Sequence, residues 1–180
     1  MLKIINNLNP FFEDCYRRVN VREYGKIIKV SPPTASTLLK DYNKNNLLKK
    51  ENYKNYMFFY ANKDDEQFIS LSRIYWYERL KDLLNYLEKE LTSPTVILFG
   101  SLSKAETTLN SDIDLAIFAQ KKYINLKTFE NKFKRKIQIF WFNSINKVEN
   151  KELTNNIING YIMKGRLSLW WIGRIVLIKE

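Results

Sequence analysis

Two carboxylates and a Gly-Ser pair stand at a spacing that could support phosphate chemistry. Asp112 and Asp114 open one apolar stretch, and Gly100-Ser101 closes the apolar stretch before it. Residues two apart in a strand face the same side, so the two carboxylates would point together. Their mutual repulsion would be relieved by a divalent cation held between them. The neighbouring apolar residues of this strand are expected to face a core: Ile113, Leu115 and Ile117.

The Gly-Ser pair predicts an anion-binding site next to the expected cation site. Backbone N–H groups where a strand turns into a helix attract phosphate, and a glycine lets the phosphate approach closely. The stretch therefore predicts a phosphate cradle beside a Mg²⁺ site, which is what metal-assisted phosphoryl or nucleotidyl transfer requires. Asp-x-Asp alone is often a solvated strand edge, so the prediction rests on both motifs occurring in this order.

The amino-acid composition limits the kinds of catalytic site that the chain can form and indicates which molecules it could bind. The chain has 180 residues, no histidine and one cysteine, which excludes a histidine base, a histidine metal ligand, a Ser-His-Asp triad and an internal disulfide. Its net charge is +11. Residues 1–63 carry 12 Lys/Arg against 5 Asp/Glu, residues 64–90 carry 4 against 7, and residues 91–180 carry 14 against 7. Basic blocks attract nucleic acid or nucleotide phosphates, although lysines also simply solubilise surfaces.

The first basic block has the pattern of a winged helix-turn-helix. Apolar periodicity predicts a helix over 12–19, a second helix after the N-cap Asn20, and a third after Ser31. A hairpin, or wing, is predicted over 47–60 with its turn at 51–55. The residues expected to contact duplex DNA lie on the third helix and at the tip of the wing: Thr34, Ser36, Thr37, Lys40, Lys44, Lys49, Lys50 and Lys54. The alternative is a small helical domain used only for packing.

Residues 64–91 predict one long amphipathic helix. Tyr75, Trp76 and Tyr77 place aromatic side chains on more than one of its faces, which favours a homodimer interface. The alternative is a helix that packs the two domains together. The break at Ser93-Pro94 marks the start of a second domain.

The second domain alternates strands and helices, so the fold class is α+β with a mixed sheet flanked by helices. Strands are predicted over 95–99, 112–119 and 136–142, and helices from 101, over 126–135 and over 145–158. The expected domains are a DNA-binding winged helix-turn-helix at 1–63, a connecting helix at 64–92 and a catalytic-type domain at 93–165. Residues 166–180 form an unassigned tail.

The stretch LFGSLSKAETTLNSDIDLAIF resembles the nucleotidyltransferases of the DNA polymerase β superfamily, in particular the minimal nucleotidyltransferases of archaea and bacteria. The resemblance covers residues 94–165, and SPPTASTLLKDYNKNNLLKK resembles the winged helix-turn-helix of archaeal members. It implies that Gly100, Ser101 and Ser111 bind a nucleoside triphosphate, with ATP favoured, and that Asp112 and Asp114 bind catalytic Mg²⁺. A partner protein is one implied nucleotidyl acceptor.

The chain departs from this family at the expected third carboxylate. The strand that should carry it has Gln138 at the position facing the site, and Glu130 and Glu149 fall in predicted helices. Ala105 also replaces a usual second glycine. Two hypotheses follow: a nucleotidyltransferase that moves a nucleoside monophosphate to a hydroxyl acceptor, or a DNA-binding regulator or antitoxin-like protein whose nucleotide-binding domain is weak or inactive.

The sequence also bears on location. No apolar run is long enough for a membrane span, and the N-terminal residues lack the apolar core of a signal peptide. With a single cysteine, Cys15, these features predict a cytoplasmic protein.

Overall fold

The chain forms two compact units whose residues alternate along the sequence. The first unit consists of the residues up to 78 together with 101–110, and the second consists of 79–100 together with the residues from 111 onward. The structure is a computed structural model that describes residues 2–145, 148 and 150–167. The domain boundaries predicted from composition stay predictions.

The described part of the first unit contains helices α1 (Lys3–Glu13), α2 (Val21–Ile28) and α3 (Pro32–Lys44), strands β1 (Leu48–Tyr53) and β2 (Tyr56–Ala61), and the beginning of helix α4 (Glu66–Glu90). Side-chain caps set two of the helix starts. Asn20 accepts the N–H of Glu23 at 3.0 Å, and Ser31 accepts the N–H of Thr34 at 3.4 Å. Both predicted N-caps are confirmed, because each satisfies a donor that the first helical turn leaves unpaired.

The helix predicted over 12–19 is wrong. Helix α1 ends at Glu13, and Val19 instead forms an isolated antiparallel bridge with Phe59, with N–O distances of 3.0 and 2.8 Å. This pairing with β2 fixes an extended backbone at Val19. A long-range contact therefore overrides the local helical periodicity.

The predicted hairpin is present, but its turn is shorter than expected. Only Lys54 and Asn55 lie between β1 and β2, and both have positive φ, as a two-residue type I′ turn requires. Lys49 and Lys50 belong to the other end of β1 and do not lie at the tip. The side chain of Lys49 forms an ion pair with Asp64 at 2.8 Å.

Aromatic residues of α4 pack against other residues of the same chain. Tyr75 and Trp76 are buried, and the ring of Tyr75 packs 5.3 Å from that of Phe12. The aromatic spread therefore no longer argues for a homodimer, which stays a prediction without this support. No helix among the described residues is both long and apolar enough to cross a membrane.

The second unit is built on a mixed four-stranded sheet. Strands β3 (Thr95–Phe99), β4 (Ile113–Phe118), β5 (Ile137–Phe142) and β6 (Tyr161–Lys164) stand in the order β5-β4-β3-β6. Strand β3 is antiparallel to both of its neighbours, whereas β4 and β5 are parallel. Helices α5 (Lys127–Phe133) and α6 (Lys151–Ile158) complete the described elements of this unit.

Two predictions about this part of the chain are corrected, and one strand was not predicted. The helix expected from 101 is only a 3-10 turn at Gly100–Leu102, because the chain reverses through Ala105 at φ +55°. Helix α6 begins at Lys151 and not at 145, since the side chain of Asn150 caps it. Strand β6 was missed, as its four residues carry little signal. The parts of these predictions at 146, 147 and 149, and the tail from 168 to 180, lie outside the described residues.

Apolar packing covers both faces of β4. Ile113, Leu115 and Ile117 are fully buried, which confirms the predicted core face. On the other face Ala116 and Phe118 join a second cluster with the following buried residues: Ile97, Phe99, Ile145, Val148 and Ile157. Asp114 therefore lies on a face that is otherwise apolar.

Candidate functional site

One row of side chains crosses the sheet at the expected site. Asp114 in β4 pairs with Phe99 in β3 on one side and with Gln138 in β5 on the other. Paired residues in neighbouring strands place their side chains on the same face. The Asp114 carboxylate thus stands between a buried aromatic ring and an amide. The prediction that Gln138 faces the site agrees with this register.

Gln138 is in direct contact with the first aspartate of the motif. Its Nε2 donates a hydrogen bond to Asp112 Oδ2 at 2.6 Å. The strand position expected to carry a third carboxylate therefore supplies a neutral hydrogen-bond donor to Asp112 instead. Within the described residues, no group of three Asp, Glu, Cys or His side chains is arranged to hold a metal ion.

Asp114 is less well compensated than Asp112. Burial, and to a smaller extent the nearby charge of Asp112, raise the pKa of Asp114 to about 6. In the described part of the chain no hydrogen-bond donor or cationic side chain contacts the Asp114 carboxylate. A half-buried carboxylate without a partner costs folding free energy when it is ionised.

Gly100 is favoured by its backbone conformation and by its contact with Asp114. Its φ is +71°, which residues with a side chain rarely adopt. A Cβ atom at this residue would also force the Asp114 carboxylate to move. Ser101 is the next residue of the same 3-10 turn, and its carbonyl accepts the N–H groups of Lys104 and Glu106. Its predicted role in phosphate binding stays a prediction.

The donor set fits one hard divalent cation better than two. Asp112 and Asp114 offer carboxylate oxygens, which Mg²⁺ prefers, and the pKa of Asp114 reflects a charge that a cation would neutralise. Gln138 contributes no negative charge and presents its N–H to Asp112. A second cation would therefore lack the anionic ligand that a third carboxylate provides.

Arg135 is a positioning residue that the sequence reasoning missed. Its side chain is buried, and its guanidinium donates to the Ser111 carbonyl at 2.7 Å. The N–H of Ile113 bonds the carbonyl of Lys136 at 2.8 Å. These two contacts hold the chain on either side of Asp112. A lone arginine before an apolar strand carried no signal of this role.

Glu130 is engaged at the start of β5 and not with the aspartates. Its Oε1 accepts the N–H of Ile137 at 3.0 Å. Glu149, the other nearby acid considered from the sequence, lies outside the described residues. Ser111 takes part in the site through its carbonyl contact with Arg135, and its predicted nucleotide binding stays a prediction.

The pKa of Asp114 gives a stability prediction for the metal-free protein. The folded-state pKa of about 6 exceeds the ordinary 3.8, so the stabilising contribution of this group is complete below about pH 4 and is lost as the pH rises through 6. We expect Asp114→Asn to raise the free energy of unfolding by about 1–2 kcal/mol at pH 8, allowing for solvent screening of a half-exposed carboxylate. The gain should vanish near pH 4.

Denaturant unfolding in EDTA at both pH values measures this effect. Asp82→Asn is the matched control, because Asp82 is exposed and its ion pair with Lys132 lowers its pKa. The control should show no gain at pH 8. An Asp114→Asn variant no more stable than the wild type at pH 8 would contradict the burial argument.

Comparison with known proteins bears on a segment that holds most of the second unit together with residues 101–110 of the first. Residues 81–164 match the family model described as Polymerase beta, Nucleotidyltransferase. No curated protein and no solved structure matches the chain. The matched segment contains Gly100, both aspartates, Gln138 and the whole four-stranded sheet. Residues 81–164 therefore carry a nucleotidyltransferase-type domain, and the match supports the polymerase β superfamily for this part of the chain.

Proposed function

We propose that this protein binds a nucleoside triphosphate together with one Mg²⁺ ion, transfers its nucleotidyl group slowly or not at all, and acts as a DNA-binding regulator. The observation that carries the proposal is the hydrogen bond of Gln138 to Asp112, beside Asp114 in the same row of side chains. The two aspartates and the Gly100 turn favour binding, whereas an amide at residue 138 disfavours turnover.

The transfer reaction shows why residue 138 matters. A hydroxyl oxygen would attack the α-phosphorus of the triphosphate, the bond to the β-phosphate oxygen would break, and pyrophosphate would leave. The attacking hydroxyl must lose its proton, and a neutral glutamine cannot accept it. Bound Mg²⁺ supplies charge neutralisation for the phosphates. The chain's own contribution is to orient the cation through Asp112 and Asp114.

Isothermal titration calorimetry of the full chain with ATP tests the binding proposal. We expect saturable binding in Mg²⁺ and much weaker binding in EDTA. A parallel assay for released pyrophosphate, with cell lysate added as the source of hydroxyl acceptors and lysate alone as the background, tests turnover. Rapid pyrophosphate release by the wild type would instead favour an active nucleotidyltransferase, which the retained aspartates and the Gly100 turn also permit.

The DNA-binding part of the proposal rests on α3. Thr34, Thr37, Lys40 and Lys44 are exposed on this helix at spacings of three and four residues, so they share a surface. Two short helices joined by a tight turn and followed by a hairpin are the arrangement of a winged helix-turn-helix. Lys49 is already paired with Asp64, so Lys50 and Lys54 are the better wing candidates for phosphate contacts.

Replacing Lys40 and Lys44 by alanine should weaken binding to every duplex sequence. If each lysine contacts a phosphate, the slope of log K against log salt should become shallower by about 2. Fluorescence anisotropy of the full chain with labelled duplex, over a range of salt concentrations, measures both quantities. The control is Lys89→Ala with Lys151→Ala, two exposed lysines with the same loss of charge. An equal loss of affinity in the control variant would show that DNA binding depends on net charge alone and not on this surface of α3.

A further inference from the structure

The outer side of β5 has main-chain groups that no described residue bonds. The N–H of Ile113 bonds the carbonyl of Lys136, so Lys136 and every second residue after it direct their main-chain groups toward β4. Ile137, Ile139 and Trp141 therefore direct theirs away from the sheet. Glu130 covers the N–H of Ile137. In the part of the chain that the structure describes, nothing bonds the outward N–H and carbonyl groups of Ile139 and Trp141.

Apolar side chains and a cleft accompany this open edge. Ile139 and Trp141 are half-buried, and both line a cleft of about 360 Å³ beside the segment from Lys121 to Leu126. The cleft lies on the face opposite Gln138, because alternate residues of a strand face opposite sides. It is thus separate from the aspartate site.

The charge around this edge is mainly positive, although the Glu130 carboxylate covers the N–H of Ile137. Lys121 lines the cleft, and Lys134 and Lys136 immediately precede β5; none of the three has an ion pair within the described residues. By contrast, Lys122 pairs with Glu90 at 2.6 Å and Lys132 pairs with Asp82 at 2.5 Å. A second copy of this edge would bring the same unpaired lysines close together, which is unfavourable.

We propose that β5 binds an extended acidic segment of a partner protein by strand addition. The partner's main chain would bond the outward groups of Ile139 and Trp141, and its alternate apolar side chains would enter the cleft. Because side chains alternate along a strand, its acidic side chains would lie on the face opposite the cleft, where Lys136 precedes β5, while Lys121 and Lys134 would attract the segment through their charge. This inference stands independently of the proposed nucleotide binding, since none of its hydrogen bonds or apolar contacts involves a residue of the aspartate site.

A fluorescein-labelled octapeptide of alternating glutamate and valine is the probe, titrated into the full chain and followed by anisotropy. The matched peptide control is the same sequence N-methylated at its internal residues, which keeps charge and composition but removes the hydrogen-bond donors. We expect saturable binding of the first peptide and at least about tenfold weaker binding of the second. Amide exchange in residues 137–142 should slow only with the first.

Two variants of the chain test the residues involved. Ile139→Pro removes an outward N–H that β4 does not use, and edge strands tolerate proline; it should weaken binding about tenfold or more. Lys121→Glu should weaken binding several-fold, whereas Lys89→Glu, a charge-matched change on α4, should cause no comparable loss.

Four results would overturn the proposal. Equal binding of the N-methylated peptide would show that charge alone causes the binding. If neither peptide bound, the lysines would serve instead to prevent two such edges from pairing. A dimer dissociated by Ile139→Pro would assign the edge to a second copy. Binding that appears only after removal of residues 168–180 would assign it to the chain's own C-terminal segment.

Discussion

Replacing Asp112 and Asp114 together by asparagine should weaken Mg²⁺-dependent ATP binding by about 100-fold or more. Each charge-assisted contact contributes about 1.5–3 kcal/mol, and a tenfold change in affinity corresponds to about 1.4 kcal/mol. Asparagine keeps the shape of each side chain but not its charge. The measurement is calorimetry with an ATP analogue that cannot be cleaved between the α- and β-phosphates, in Mg²⁺ and in EDTA.

Measuring the stability of the same double variant distinguishes a loss of ATP binding from a loss of folding. Relieving the buried charge of Asp114 should stabilise the metal-free chain, so a variant that is more stable yet binds no ATP cannot be explained by misfolding. Asp82→Asn is again the control, because this exposed residue lies in the same unit and pairs only with a surface lysine. Undiminished Mg²⁺ dependence in the double variant would show that the cation binds elsewhere.

The second large effect is expected at residue 138, where a carboxylate should restore turnover. Gln138→Asp or Gln138→Glu adds the missing negative group in the row beside Asp114. A group able to accept a proton typically contributes ~10²–10⁴-fold in rate. We therefore expect pyrophosphate release to rise by at least about 100-fold in one of the two variants, with ATP affinity changed far less.

Both aspartate and glutamate are tested at residue 138 because the two side chains differ in length and so place the carboxylate at different distances from the acceptor. Glutamate has the length of the native glutamine, while aspartate places its carboxylate nearer the strand. Gln120→Glu is the control, since residue 120 is exposed and lies outside the row. If neither variant exceeds the wild type, residue 138 does not limit turnover. A wild type that is already fast would show that another acid serves.

The sequence predicted the elements whose signals are local and missed those that depend on distant contacts. Asn20 and Ser31 located two helix starts because capping involves only the next three residues. Val19 was assigned to a helix because its partner, Phe59, is forty residues away. Strand β6 could not be predicted, because its pairing with β3 supplies most of what defines it.

The same distinction holds at the candidate site. The alternation of Asp112 and Asp114 placed both carboxylates correctly at one end of β4, and strand alternation identified Gln138 as the residue facing them. That Asp114 is the carboxylate with the raised pKa could not be predicted, because its burial arises from the apolar cluster assembled from several separate segments. The contact of Arg135 with Ser111 likewise depends on the fold, since it joins residues on opposite sides of α5 in sequence.

The alternation of the two units along the chain limits how this protein can be dissected. Residues 101–110 belong with the first unit: the Thr107 carbonyl accepts the N–H of Cys15 at 2.7 Å, and the Ser103 carbonyl accepts Arg73 Nε at 2.9 Å. An expressed fragment ending at residue 63 or 92 would lack these partners. If such an N-terminal fragment failed to bind DNA, the cause could be the loss of residues 101–110 as well as the lack of a DNA-binding surface. Only substitutions in the intact chain distinguish these two causes.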